Sequence, residues 1–250
     1  MGSLSRIKRA GFDAAEAHLI GDLRSPECVA LVRAEARDLG LMIRFHQGWS
    51  WETGQRSIHN RMLRWAGALV PEGKSLEKQL ANAGTDEVVV YGSRIDEPSR
   101  SNYLYQTASE HVGGEEYVMP YTHFAQVAQQ KRVPLVLDTQ HVLEWKSNAQ
   151  NVAGLLTESR RDLLEAIRST WTWCGSLVQE IHLNDFLPSL GAQPGRNLFP
   201  GDGVFPTREF CEMVRDSGWQ GVVTPETAPK HTKGGRLREL RETVVRLFEG

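Results

Sequence analysis

The apolar run 133–137 ends in Asp138, Thr139, Gln140 and His141, so a carboxylate and an imidazole stand one short turn apart where a strand meets its loop. The pairing recurs in reverse order in "IHLND", with His182 and Asp185, and the run "GVVTP" ends in Glu226. Carboxylate oxygen and neutral imidazole nitrogen are hard-to-borderline donors. A mixed set of them suits Mn²⁺, Zn²⁺, Fe²⁺ or Mg²⁺ rather than a soft copper site. One such pair carries little weight, but a set drawn almost wholly from Glu, His and Asp is more than the polar end of a strand. Other apolar runs end the same way, in Glu16 and His18, in His46 and in Tyr91.

These residues need elements that bring them together. Short β-rich runs cover 12–19, 41–46, 87–93, 133–138, 177–183 and 221–226, and stretches with helical periodicity separate them. The stretch 25–40 opens on Ser25 as a cap and closes on Gly40. The stretch 157–171 has the same apolar period, and 206–218 runs from Pro206 to Gly218. Strands alternating with amphipathic helices predict βα units and a parallel sheet. In such a sheet all carboxyl ends point to one face, so the polar residues above converge on a single cup. The expected fold is α/β, a TIM-barrel-like (β/α) barrel. No linker, repeat or low-complexity segment divides residues 1–250, which read as one domain.

Composition narrows the partners. Lys and Arg total 29 against 31 Asp and Glu, a net charge of −2 that offers no general attraction to a phosphate backbone, so nucleic acid is not the expected partner. Cys28, Cys174 and Cys211 are scattered without CxxC spacing, which suits a reducing compartment rather than a disulfide framework. No apolar run has the length to span a bilayer, and the start lacks an apolar leader. The expectation is a cytoplasmic protein with a small-molecule substrate, no membrane partner, and room for a homo-oligomer.

The segments "LVLDTQH", "EIHLND" and "GVVTPET" resemble, in order and wording, the last strands of the xylose-isomerase-like TIM barrels. That superfamily holds sugar isomerases and epimerases, dehydratases and the endonuclease IV family. "GFDAAEAHL" resembles its second strand. The resemblance implies Asp138, His182 and Glu226 as metal ligands, with His141 a further ligand or a substrate contact. It also implies that His46, like the family's third-strand His, meets metal or substrate. Glu226, Glu16 or His141 would move a proton.

Several positions depart from the pattern. Where the endonucleases have Asp-Arg-His, this chain has Gly195, Arg196 and Asn197, and Tyr91 stands where their fourth strand ends in a ligating His. Both speak against a trinuclear zinc site. The family's first strand has no counterpart before Ser3. Between 87–93 and 177–183 the family has two strands, one ending in a ligating Glu and one in DxxH, yet only 133–138 reads as a strand. Asp138 therefore stands for either position, and a barrel of six to eight strands, incomplete or irregular, is expected.

Substrate-facing candidates complete the reading. Trp49, Trp51 and Trp145 offer flat apolar faces, Tyr91 and Asp185 sit at strand ends, and Arg94 and Arg196 can grip a carboxylate or phosphate. The expected function is a divalent-metal-dependent isomerase, epimerase or lyase such as a dehydratase, acting on a sugar, keto-polyol or related hydroxy-carbonyl compound. The alternatives are an abasic-site phosphodiesterase and a non-catalytic barrel.

Overall fold

The structure is a computed structural model and describes residues 3–19, 25–47, 80–81, 83–84, 86–108, 120–147, 155, 158–188, 195–228 and 236–249. Its framework is a seven-stranded sheet of parallel strands in the order β1 (Ala14–His18), β2 (Met42–His46), β3 (Val88–Tyr91), β4 (Tyr103–Gln106), β5 (Leu135–Asp138), β6 (Val178–Leu183) and β9 (Val222–Pro225). The sheet curls into a TIM barrel with one unsealed seam, between β1 and β9. Across the interior, His18 Nε2 of β1 lies 3.9 Å from Oε1 of Glu226, the residue that follows β9. Every residue of the two seam strands is only half-buried, whereas β3, β4 and β5 are buried throughout. That is what a barrel open along one line requires.

Strand β4 is the element that sequence periodicity misses. Its residues, Tyr-Leu-Tyr-Gln, follow β3 after a 3₁₀ turn at Gly92–Arg94 and two further turns, with no intervening α-helix. A reading that expects a helix between successive parallel strands passes over it. Its register pairs Tyr91 with Gln106 and Gln106 with Val136, so it separates β3 from β5. The interval between β3 and β6 thus holds two strands, and Asp138 ends the second of them. The first ends in Gln106.

Helices cover the outside: α1 (Ser3–Arg9), α2 (Pro26–Asp38), α3 (Tyr121–Lys131), α4 (Thr139–Lys146), α5 (Arg160–Cys174), α6 (Thr207–Asp216) and α7 (Arg236–Glu249). Their starts are legible in the sequence. Ser25 accepts from Cys28 N at 3.1 Å ahead of Pro26, and Ser159 with Asp162 forms a capping box on α5. Among the described residues no helix is long and apolar enough to cross a membrane.

Side chains alternate along each strand. Outward residues such as Phe45, Tyr105, Leu135 and Ile181 pack under the helices in the main core, and Val89, Leu104 and Val136 make a smaller apolar plug inside the barrel. Two residues further along those three strands stand Tyr91, Gln106 and Asp138, facing the mouth. Arg44 and Glu180 oppose the plug; they pair with each other, and Arg44 also pairs with Glu87 near the surface. Buried charge of this kind holds only when matched. Thr224 donates to the same Glu180 carboxylate.

Two expected substrate contacts are corrected by the packing. Asp185 opens β7 (Asp185–Leu187), which pairs antiparallel with β8 (Gly195–Leu198). Its fully buried carboxylate accepts from the backbone N–H of Phe186, Gly201, Gly203 and Phe205 at 2.8–3.1 Å and from the Thr207 hydroxyl at 3.4 Å. With both oxygens filled, Asp185 anchors the 201–207 turn and has none left for a ligand. Trp145, on α4, lies against Phe124 and Tyr121, with ring centroids at 4.9 and 5.5 Å, in the layer of helices outside the barrel.

The turn tied by Asp185 leaves no room at Gly203, where a Cβ would run into the Asp185 carboxylate and the Phe186 carbonyl. Gly203→Ala should therefore cost about 1–3 kcal/mol in denaturant unfolding. A change under about 0.5 kcal/mol, the size of an ordinary surface substitution, would show that the turn is not held as described.

Candidate metal centre

The mouth of the barrel collects one polar side chain from nearly every strand. β1 brings Glu16 and His18, β2 His46, β3 Tyr91, β4 Gln106, β5 Asp138, β6 His182, and Glu226 follows β9. His182 is fully buried at the centre. Its two ring nitrogens face different company. Nδ1 is 3.4 Å from Glu226 Oε1, 3.8 Å from Asp138 Oδ2 and 3.3 Å from Gln106 Nε2. Nε2 is 3.1 Å from Glu16 Oε2 and 3.6 Å from Glu180 Oε1.

Electrostatics follow from that geometry. Burial disfavours the His182 cation, but the charges of Glu16 and Glu226 and the hydrogen bonds of Glu16 and Glu180 outweigh it and hold its pKa well above the usual imidazole range. Burial would likewise raise Glu16, yet the positive charge of His182 and His46 holds that carboxyl well below its ordinary value. Glu226 moves the other way: burial and the nearby Asp138 and Glu16 charges raise it. His18, buried and beside His46, is pushed down to about 3.

Each ligand candidate is fixed by a local feature of the chain. Asp138 is the N-cap of α4, its Oδ1 accepting from Gln140 N at 3.0 Å and His141 N at 2.8 Å, while Oδ2 accepts from Gln106 Nε2 at 2.8 Å. One oxygen thus orients the carboxylate and leaves the other facing the cup. Glu226 Oε2 accepts from Asn184 Nδ2 at 3.4 Å and Asn197 Nδ2 at 3.3 Å, which leaves Oε1 toward His182. Asn197 stands where the resembled endonucleases have a ligating His; here it holds a carboxylate from a left-handed backbone position, φ 51°, that Asn tolerates. His46 Nδ1 lies 2.7 Å from the Gln47 carbonyl oxygen and Nε2 3.0 Å from Gln106 Oε1, with its ring stacked on His18 at 4.5 Å.

The remaining candidates separate. His141 directs Nδ1 to Glu144 Oε2 at 2.9 Å, and a third of its side chain remains open to the mouth. Tyr91 meets His46 edge-on at 5.6 Å. Arg94 pairs with Glu97 beside Tyr105, whose ring points to the helix side, so Arg94 stands outside the cup and not in it. Trp49, Trp51 and the side chain of Arg196 lie outside the described residues.

Does this set fit a divalent cation? Glu16, His46, His182 and Glu226 each offer a ligand atom, all within 4.8 Å of one another. A second, overlapping set is Asp138, His182 and Glu226, the one expected from sequence. His46 has both nitrogens occupied and Glu16 faces His182 Nε2, so an ion on the Nδ1 side would meet Asp138 Oδ2 and Glu226 Oε1. Two carboxylates and one imidazole nitrogen meet on that side, and the donor set is the oxygen and imidazole type that Mn²⁺, Zn²⁺, Fe²⁺ and Mg²⁺ accept. The residues fit. Glu16 then takes the part of the carboxylate that receives the other ring N–H of a ligating His and fixes its orientation.

Gln106 is the site residue that sequence reasoning lacked. The signal was present, a short aromatic run ending in a polar residue, but unframed by a helix.

A family model described as xylose isomerase-like TIM barrel matches residues 122–246, half of the chain. Among solved structures the chain is similar to a xylose isomerase-like TIM barrel/4-hydroxyphenylpyruvate dioxygenase fusion protein, at 20% identity and a TM-score of 0.52, over 98% of this chain and 39% of that one. It therefore spans well under half of the fusion protein. It is also similar to a D-tagatose 3-epimerase-like protein (14% identity, TM-score 0.51, 99% of this chain and 93% of that one). An L-ribulose 3-epimerase shows a comparable likeness (13%, TM-score 0.56, 98% and 87%). At these identities the likeness shows the fold alone. A comparison with curated proteins gives no match.

His141 provides a pH test in metal-free protein. Burial lowers its pKa, but the Asp138 charge, the Glu144 hydrogen bond and the Glu144 and Glu226 charges raise it to about 9. A folded pKa above the unfolded value of about 6.5 adds stability that is full below pH 6.5 and is lost as pH rises through 9. Wild type should exceed His141→Asn by roughly 1–2 kcal/mol at pH 6, after allowance for solvent screening, and by much less at pH 10. An NMR titration placing His141 near 6.5 would contradict the Glu144 pairing.

Proposed function

The chain belongs to the xylose isomerase-like TIM barrel family, and on that premise we propose that it is a divalent-metal-dependent isomerase, epimerase or lyase. The substrate class is a sugar, keto-polyol or related hydroxy-carbonyl compound. The observation that carries this reading is the convergence of Asp138 Oδ2 and Glu226 Oε1 on His182 Nδ1, at 3.8 and 3.4 Å, in the barrel mouth. Neighbours of the same fold include proteins described as a D-tagatose 3-epimerase-like protein and an L-ribulose 3-epimerase, so the fold is one that accommodates such chemistry.

A bound divalent ion would polarise a substrate carbonyl and so acidify the adjacent C–H. Asp138 and Glu226 hold that ion's place through oxygens pre-aimed by the α4 cap and by Asn184 and Asn197. Glu16 keeps the His182 ring in position from behind. Proton movement falls to His141, whose Nδ1 is steadied by Glu144 while Nε2 has no hydrogen bond among the described residues, and to Glu226. Tyr91 lines the mouth beside His46.

The chemistry leans to one side. The position expected to carry a second carboxylate carries the Gln106 amide, which neither takes nor gives a proton at ordinary pH. Epimerisation through a carbanion wants a proton-moving group on each face of the reacting carbon; elimination of water wants one base and one acid. Lyase chemistry therefore suits this cup better than a symmetrical epimerisation.

Metal titration tests the proposal. Elemental analysis and calorimetry with Mn²⁺ and Zn²⁺ should find one tightly held ion per chain, lost in Asp138→Ala, His182→Ala and Glu226→Ala. Because an ion must displace the His182 proton, affinity should rise with pH and binding should release protons, seen as a dependence of heat on buffer ionisation. An ion that binds equally well in all three variants, or no stoichiometric ion, would sink the metal-dependent mechanism.

A further inference from the structure

Resting on the metal-centre reading above, the geometry points to Gln106 as a turning amide, which stands in for the cation when the site is empty and becomes a ligand when an ion binds. Gln106 is 2% exposed and touches three groups of the cup. Its amide nitrogen donates to Asp138 Oδ2 at 2.8 Å and lies 3.3 Å from His182 Nδ1. Those are two of the atoms that an ion on the Nδ1 side of His182 requires. The NH₂ group, with its partial positive charge, therefore sits beside the gap between them and takes up there the negative charge that an ion would otherwise meet.

The arrangement leaves a conflict on the opposite side. The Gln47 carbonyl, 2.7 Å from His46 Nδ1, can only accept, so a neutral His46 carries its proton on Nδ1 and turns a lone pair outward at Nε2. Gln106 Oε1, another acceptor, faces that lone pair at 3.0 Å. A proton on His182 Nδ1 would add a second conflict, donor against donor, at the amide nitrogen. Exchanging the two ends of the amide repairs both contacts: the NH₂ donates to His46 Nε2, and Oε1 turns to His182. The exchange creates one new fault, since Oε1 then confronts the Asp138 carboxylate oxygen.

A metal cation removes that last fault. With an ion present, Asp138 Oδ2, His182 Nδ1, Glu226 Oε1 and Gln106 Oε1 all point at positive charge, and His46 Nε2 accepts from the amide. With His46 neutral and a proton on His182 Nδ1, no orientation of Gln106 satisfies all three neighbours until a metal ion is present. Amide oxygen and nitrogen are nearly equal in size, so the exchange asks nothing of the backbone of β4. A neutral amide also leaves Asp138 and Glu226 as the two charged ligands, which balances a divalent ion and does not repel an anionic substrate oxygen.

The test compares wild type with Gln106→Met, which keeps length and removes the polar end, and Gln106→Glu, which keeps shape and adds charge. By calorimetry with Mn²⁺ and Zn²⁺, Q106M should lose on the order of 10- to 100-fold in affinity, the usual effect of removing a group that supports a metal. Q106E should bind at least as tightly as wild type, and its metal-free form should melt lower because a second carboxylate then faces Asp138. A second reading uses wild type alone: in ¹⁵N-labelled protein the Gln106 side-chain NH₂ pair, identified by its absence from Q106E, should shift on addition of Zn²⁺. If wild type binds an ion and Q106M holds it equally well, or if the NH₂ pair does not move, the turning amide is wrong and the metal centre stands. If wild type binds no ion, the metal-centre reading fails and takes the amide with it.

Discussion

The imidazole of His182 is fully buried in the barrel among four carboxylates, and much of the site's architecture follows from making that tolerable. Unmatched charge at such depth costs several kcal/mol per ion. Each carboxylate around His182 is accordingly tied a second time: Asp138 to the first turn of α4, Glu226 to two asparagines, and Glu180 to Arg44 and Thr224. Glu16 is shared between His182 and His18. The resulting cup is rigid where a ligand set must be rigid. It is also charged in a way that an incoming cation relieves and does not aggravate.

The seam between β1 and β9 belongs to the same picture. Every residue of the two seam strands is only partly buried, yet they carry Glu16, His18 and, just past β9, Glu226, whose side chains turn into the mouth. The contacts of Glu16 with His182 and of His18 with Glu226 cross the interior, where no ladder hydrogen bond joins the two strands. The Glu16–His182 pair at the mouth thus ties β1 to β6, the strand beside β9, where the backbone leaves the two edges apart.

How far the sequence reveals this depends on which physical signal each residue leaves. Asp138, His182 and Glu226 end apolar runs long enough to read as strands, so their positions are legible, and Asp138 also caps the helix that follows it. The number of strands between β3 and β6 is not, because β4 lacks the helix that marks a parallel crossover and holds two tyrosines where aliphatic residues would signal a buried strand. Asp185 reads as a site residue because its type and spacing match His182, but spacing does not reveal that the 201–207 turn folds back to fill its oxygens. Trp145 sits on the helix that carries His141, and which side of a helix faces the mouth is decided by packing on α3, a contact between segments that no local pattern encodes.

Gln106 ties these threads to chemistry. A carboxylate at that position would place three negative ligands around one imidazole and provide a second group able to move a proton. The amide keeps the shape and the oxygen but gives up both the charge and the basicity. The cup then has ionisable groups, Glu226 and the His141–Glu144 pair, on the side of β5 and β9, and a neutral group on the side of β4. The cup is asymmetric by construction: Glu226 and the His141–Glu144 pair stand on one side, and an amide with the stacked His18 and His46 on the other. On the proposed reading, the amide at the end of β4 favours elimination over a reaction that must return a proton to the face opposite the one it left.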